Sequence, residues 1–385
     1  MYEKGALTKC ELLYFGGIIL YYLTFFADLT VLTDILDLNS PAFKLIRLVA
    51  YILFFLAIVD AAVTEKALMI FVLLSPLIVL CALFGKDNSV VYMLLILFAG
   101  LCTHSRRVVA LIMWLQIICM ILVIGLSTTG VLEDVIFVSE ERIRHCLGFF
   151  WTTTPALMAF FIAATFIFLK AEKITWIDLL IIEIVQVIFY LLTDSRMCFA
   201  VASLMVVFTF LIRYGKILFQ KMFYVWSKLA VCFPLACCLV SIAAQALYDE
   251  ESLGWMKFDQ FLHKRLSLGH SALNEYGIRF FGQYIKWVGN SQKSENLVYN
   301  YVDNSYLQIL LSKGIIYLAI IIAVYTWILY KAAKDRKIYT SLIVSMILLL
   351  SITEPRLWDW AFNPIPFLII DVFCGKINRD RVALT

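Results

Sequence analysis

Arginines and carboxylates gather where this chain leaves its apolar runs. The stretch 129–154 carries Arg142, Arg144 and His145, and the turn 194–196 carries Asp194 and Arg196. The stretch 248–306 carries Arg265, His270, Glu275, Arg279 and Asp303; the stretch 354–362 carries Glu354, Arg356 and Asp359. A guanidinium is a rigid planar fork that matches phosphate oxygens, so arginines recur where a phosphate must be held. The acidic neighbours offer a simpler account: ion pairs that end helices or neutralise the arginines. Asp194 with Arg196 reads equally as such a local pair and as a substrate contact. A lone histidine is more often a structural residue than a catalytic one.

The elements that must position these residues follow from composition. The chain has 385 residues, 63% hydrophobic and 16% charged, against roughly 45–50% and about 25% in a soluble domain. This predicts an all-α polytopic membrane protein. A spanning helix needs ~20 mostly apolar residues. About twelve candidate runs meet or approach that length: 11–30, 45–64, 67–84, 88–103, 108–128, 155–170, 175–193, 196–213, 227–247, 306–330, 338–353 and 363–378. The expected organisation is 1–247 with spans one to nine, 248–306 as one large extracytoplasmic loop, and 307–385 with spans ten to twelve and a cytoplasmic tail. The first run lacks a small-residue cleavage pattern and reads as a retained span.

Charge sets the orientation. Placing the N-terminus inside puts Lys66, Arg106, Arg107, Lys170, Lys173, Arg213, Lys216, Lys334 and Arg336 in short inner connections. Cytoplasmic loops keep the excess of Lys and Arg, so both termini are expected in the cytoplasm. The arginines of the outer stretches run against that bias and need a reason: acidic partners, or an anionic ligand at the membrane surface such as a lipid diphosphate. The net charge of +4 gives no case for nucleic acid. Most of the ten cysteines lie in apolar runs, and neither a CxxC pair nor a Cys/His cluster occurs, so no metal site is expected. Trp151, Trp255, Trp287, Trp358 and Trp360 fit an aromatic belt, or faces on which sugars stack. Within 248–306 the apolar residues Phe258, Phe261, Leu262, Leu266, Leu273 and Ile278 recur at helical spacing, predicting one or two short amphipathic helices.

Four segments resemble the O-antigen polymerase/ligase superfamily, most closely the Wzy-type polymerases of capsular and exopolysaccharide synthesis. They are RHCLGFFWTTTPA at 144–156, TDSRMCF at 193–199, LHKRLSLGHSALNEYGIRFFG at 262–282 and VDNSYLQILLSKGII at 302–316, in the family's order. The resemblance implies transfer of a polyprenyl-diphosphate-linked glycan onto the terminal sugar of another lipid-linked repeat unit, on the outer face of a bacterial cell membrane. It implies the bilayer, a flippase and a chain-length regulator as partners, and no cofactor. For that reaction Arg265, then Arg196 and Arg279, are the candidates to stabilise the leaving diphosphate. Asp303, His270, His145 and Glu354 are candidates for the base; Arg142, Arg144, Asn304, Tyr306 and Arg356 would contact substrate. The chain departs from the family at Asp303, where ligases commonly carry His, and at Thr153-Thr154, where Pro-Asn is common. A ligase's catalytic His is therefore not carried over to position 303. Two rivals stand beside the polymerase: a flippase for the same lipid-linked glycan, and a ligase of the same superfamily. Transporters tend to show repeats and charges at the bilayer midplane; here the charge sits at one rim.

Overall fold

The computed structural model describes residues 7–37, 40–61, 63–139, 142–289 and 299–373. Its helices are α1 Lys9–Asp28, α2 Leu32–Ile35, α3 Pro41–Asp60, α4 Glu65–Gly85, α5 Ser89–Ala99, α6 Ser105–Thr128, α7 Thr153–Lys170, α8 Trp176–Thr193, α9 Arg196–Tyr214, α10 Ile217–Leu229, α11 Phe233–Ala246, α12 Leu253–Phe261, α13 Arg265–Tyr276, α14 Ser305–Lys334, α15 Ile338–Leu350 and α16 Ile370–Phe373. Caps mark several starts. Thr8 with Glu11, and Thr175 with Asp178, form reciprocal capping boxes; Thr64 accepts from Ala67 N; Pro41 opens α3. Among the described residues nine helices are long and apolar enough to cross a membrane, α10 and α11 counting as one of 30 residues. Two more apolar helices, Ser89–Cys102 and Ile338–Leu350, are shorter. The expected twelfth run is a 3-10 turn, Ile365–Ile369, followed by α16; its remainder lies outside the described residues. Among the described residues twelve full spans are not seen.

α7 and α15 are innermost: 72% of the α7 span is buried, and α15 is buried on nearly every side. α3 and α4 are outermost, at 17% and 22%. They turn Leu45, Ile52, Phe55, Leu68 and Leu73 outward, an apolar surface too large for water. α1 packs closely on α3 because Gly17 lets the Phe54 ring in; a Cβ there would stand 2.7 Å from it.

Contacts sort the connections onto two faces. On one, Arg107 pairs with Glu11 at 2.6 Å, Arg106 reaches the Leu169 carbonyl, and Arg213 donates to the Ile174 carbonyl. On the other, the 29–31 and 148–150 backbones pair, Lys313 meets Asp87 at 3.2 Å, and Arg142 meets Asp194 at 3.1 Å. The stretch 129–152 departs from the all-helical expectation. It contains an antiparallel hairpin, β1 Ile136–Ser139 with β2 Arg142–His145, in register Ser139 to Arg142 and Phe137 to Arg144.

Two irregular features shape the interior. α14 breaks at Gly314, with φ 89°. There the backbone of 279–283 supplies the missing partners: Ile315 N donates to Arg279 O, Ile316 N to Phe280 O, and Gln283 N to Ser312 O, at 3.1 to 3.2 Å. The second feature is the stretch after α15, expected as an outer loop. α15 has 13 residues, about 20 Å at 1.5 Å per residue, too short to cross a hydrocarbon core of ~30 Å. It ends inside the bundle, and the chain continues as buried irregular backbone: Leu357, Ala361, Phe362 and Asn363 are fully buried. Gln116, at the middle of α6, donates to the carbonyls of Ala361 and Phe362 at 2.8 and 2.7 Å. Tyr325 Oη and Asn363 Nδ2 both donate to the Leu357 carbonyl. Non-helical backbone at membrane depth requires such internal partners. The chain then descends to Asp371, whose carboxylate accepts from Ser105 N and Oγ at the start of α6.

A candidate site where arginines and carboxylates converge

The large loop folds into α12 and α13, set at a corner by one buried carboxylate. Asp259 Oδ1 accepts from Leu266 N at 2.8 Å and Ser267 N at 3.1 Å, satisfying free amides at the start of α13. His263 and Lys264 make the turn with positive φ, 54° and 62°. α13 then lays Leu266, Gly269 and Ala272 against α11; a Cβ at Gly269 would stand 1.8 Å from Gln245 Oε1. Arg265, the first residue of α13, is thereby aimed at the end of the loop. Its Nη2 donates to Glu354 Oε1 at 3.0 Å, and its Nε stands 3.7 Å from Asp303 Oδ2.

Those carboxylates are held by their neighbours. Asn304 caps α14 through Leu307 N and donates to Ser241 Oγ. Ser305 Oγ donates to the Glu354 carbonyl at 2.6 Å and accepts from Leu357 N at 3.0 Å. Burial pushes Glu354 up to about 6; Arg265 opposes this and Asp303 adds to it. Burial also raises Asp303, against the charges of Arg265, Arg356 and Arg144. Arg356 pairs with Asp359 at 2.8 Å and lies 4.5 Å over the Phe362 ring.

The hairpin brings a second set. Residues two apart on a strand share a face, so Arg142 and Arg144 point the same way. Arg144 Nε donates to the Thr193 carbonyl at 2.8 Å, closing the C-terminus of α8. Arg142 Nε pairs with Asp194 Oδ2 and its Nη2 meets His263 Nε2, both at 3.1 Å. Asp194 also takes Arg196 Nε at 3.1 Å. Burial, and then the guanidiniums of Arg142, Arg196 and Arg265, lower His263, so its ring is neutral at neutral pH. Five guanidiniums thus share four carboxylates, an excess of one positive charge across the two sets.

Other sequence candidates lie elsewhere. The ring nitrogens of His270 are both engaged, Nδ1 with the Gln245 carbonyl and Nε2 with Asn274 Nδ2, each at 2.9 Å; it fastens α13 to α11. His145 faces away from Arg144 along β2 and meets Asp134 Oδ2 at 2.6 Å, while Asp134 Oδ1 takes Leu147 N. Tyr306 is fully buried, with its hydroxyl on the Leu348 carbonyl. Asn304, which caps α14, is buried as well. Arg279 is exposed beside the α14 break; among the described residues no ion pair joins it to Asp303 or Glu354.

An aromatic wall borders the cluster. Tyr301 stands 6.1 Å from Trp151 and 6.3 Å from Trp287, which in turn meets Tyr276 at 6.1 Å. Gly289 lets the Trp151 ring lie against its backbone. The tyrosines were missed in the sequence; the alternation Tyr299, Tyr301, Asp303 was the available signal. Among the described residues no three carboxylate, imidazole or thiol groups converge on one point, and Arg265 already bridges Asp303 and Glu354. Against protein-family models, curated proteins and solved structures, the chain matches nothing.

Proposed function

We propose that this chain is a polysaccharide polymerase of the Wzy type, moving a glycan from a polyprenyl-diphosphate carrier to the terminal sugar of a second lipid-linked unit. The observation that carries this reading is Arg265, held between Glu354 and Asp303 with Arg144 and Arg356 close by. The acceptor hydroxyl oxygen bonds to the anomeric carbon as the bond from that carbon to the diphosphate oxygen breaks. Negative charge grows on the leaving diphosphate. Guanidiniums fixed beforehand stabilise that charge more than the ground state, which lowers the barrier. The hydroxyl proton passes to a carboxylate. Asp303 and Glu354 both have raised affinity for a proton, which brings a base nearer the working pH. Trp151, Trp287 and Tyr301 offer faces for the sugars beside the charge cluster.

The test is reconstitution of the full chain with a polyprenyl-diphosphate oligosaccharide. A ladder of repeat multiples, lost with Arg265→Ala, is expected. Movement of the substrate across the bilayer without any ladder would replace the polymerase by a flippase. Transfer of one finished glycan to an unrelated acceptor would replace it by a ligase.

A further inference from the structure

A groove runs along the side of the bundle from the α14 break toward the opposite face. α11 and α14 flank this groove of about 610 Å³, lined by Val231, Leu235 and Cys238 on one wall and Ala319, Ala323 and Trp327 on the other, ending at Tyr330. The small side chains of Ala319 and Ala323 give it depth, while Leu235, Trp327 and Tyr330 are about half exposed along it. α14 lines the groove from Ile315 to Tyr330, a rise of about 22 Å, more than the ~15 Å half-thickness of a bilayer core. An acyl chain fits along it.

The mouth is cationic. Tyr224, Lys228, Val231, Leu235 and Cys238 recur at helical spacing and form one stripe leading out of the groove. On the facing wall Tyr330 is followed one turn later by Lys334. Lys228 Nζ stands 4.8 Å from the centre of the Tyr224 ring, and the Arg336 guanidinium stands 5.6 Å from the same centre. Arg336 reaches it because the chain turns there with φ 56°. Two cations, one on α10 and one in the turn between α14 and α15, thus crowd one ring. Among the described residues no carboxylate pairs with Lys228, Lys334 or Arg336; the nearby Asp335 is engaged by Lys331 at 3.3 Å. Trp327 and Tyr330, 5.8 Å apart, sit where interfacial aromatics belong.

We infer that this groove holds an anionic phospholipid, with acyl chains along α11 and α14 and its phosphate among Lys228, Lys334 and Arg336. An apolar slot continuous with unpaired basic side chains is the arrangement that recognises an acidic headgroup together with its tails. The site is separate from the Arg265 cluster and does not depend on the reaction proposed there.

Trp327 reports on occupancy. The full chain is placed in nanodiscs containing lipids brominated on the acyl chain, either phosphatidylglycerol or phosphatidylcholine at equal mole fraction. The Trp327 signal is taken as the difference from Trp327→Phe. Stronger quenching by phosphatidylglycerol is expected, falling at high salt, with the preference reduced about fivefold for each cation removed in Lys228→Gln and Arg336→Gln. Ala323→Phe, which fills the groove, should reduce quenching by both lipids. Equal quenching by the two lipids in the native chain overturns the inference without any variant. So does a preference that survives the double substitution, or relief of quenching by inorganic phosphate, which would mean a soluble anion occupies the cations.

Discussion

Arg265 carries more of the site than its neighbours because two carboxylates depend on it. Its removal strands partly buried negative charge. With side-chain exposures of 20% for Arg265 and 29% for Asp303, the cost of Arg265→Ala is expected at about 2 to 3 kcal/mol, below the figure for a fully buried pair. Chemical unfolding in detergent measures it. Arg265→Ala with Glu354→Gln should recover most of that loss, since one stranded charge is then gone. Tyr306→Phe is expected to cost about 1 kcal/mol, by leaving the Leu348 carbonyl unpaired, with turnover unchanged; a large fall in turnover would return Tyr306 to the substrate. Glu354 gives a pH dependence with a definite sign. Its proton affinity is higher folded than unfolded, so its contribution to stability is present below its ordinary value of 4.5 and is lost as pH rises through about 6. Below about 6 the neutral carboxyl also stops offsetting Arg265. Binding of inorganic pyrophosphate, followed by calorimetry and taken relative to Glu354→Gln so that the ligand's own protonation cancels, should therefore tighten as pH falls through that value. Glu354→Gln should flatten the dependence.

Among the elements, the break in α14 decides where the large loop sits. Gly314 has φ 89°, and a Cβ there would lie 2.3 Å from Gly282 N and 2.4 Å from the Phe280 carbonyl. Gly314→Ala combines backbone strain of about 1 to 3 kcal/mol with a clash against backbone that cannot move aside. The expected result is release of 279–289, read as faster proteolysis within that stretch. Gly130 also has positive φ, 76°, but its Cβ would meet nothing. Gly130→Ala is therefore the control for strain alone and should leave the loop protected. The loop's two short helices could be read from the spacing of Phe258, Phe261, Leu266 and Leu273. The corner that aims Arg265 could not, because Asp259 acts on amides seven and eight residues ahead. The strands β1 and β2 were missed because they are short and their alternation, Arg142–Ile143–Arg144, is brief beside the long apolar runs.

At the scale of the whole molecule, long apolar runs with interrupting charges determined by themselves that this is a multi-pass helical membrane protein. Their alternation also assigned the connections holding Arg142, Arg144, Asp194, Arg196, Arg265, Asp303 and Glu354 to one side. The physical reason is local: a run of ~20 apolar residues must find a bilayer or a core whatever its neighbours do. Tertiary structure decided which charges meet. Asp303 and Glu354 are far apart in the chain, and only the return of α14 beside the end of α15 places both on Arg265. It separated His270 and His145 from that cluster by giving each a partner of its own. It also showed that 351–363 is no surface loop. Gln116, Tyr325 and Asn363 satisfy its backbone inside the bundle, and apolar content alone cannot distinguish such a stretch from the start of another span.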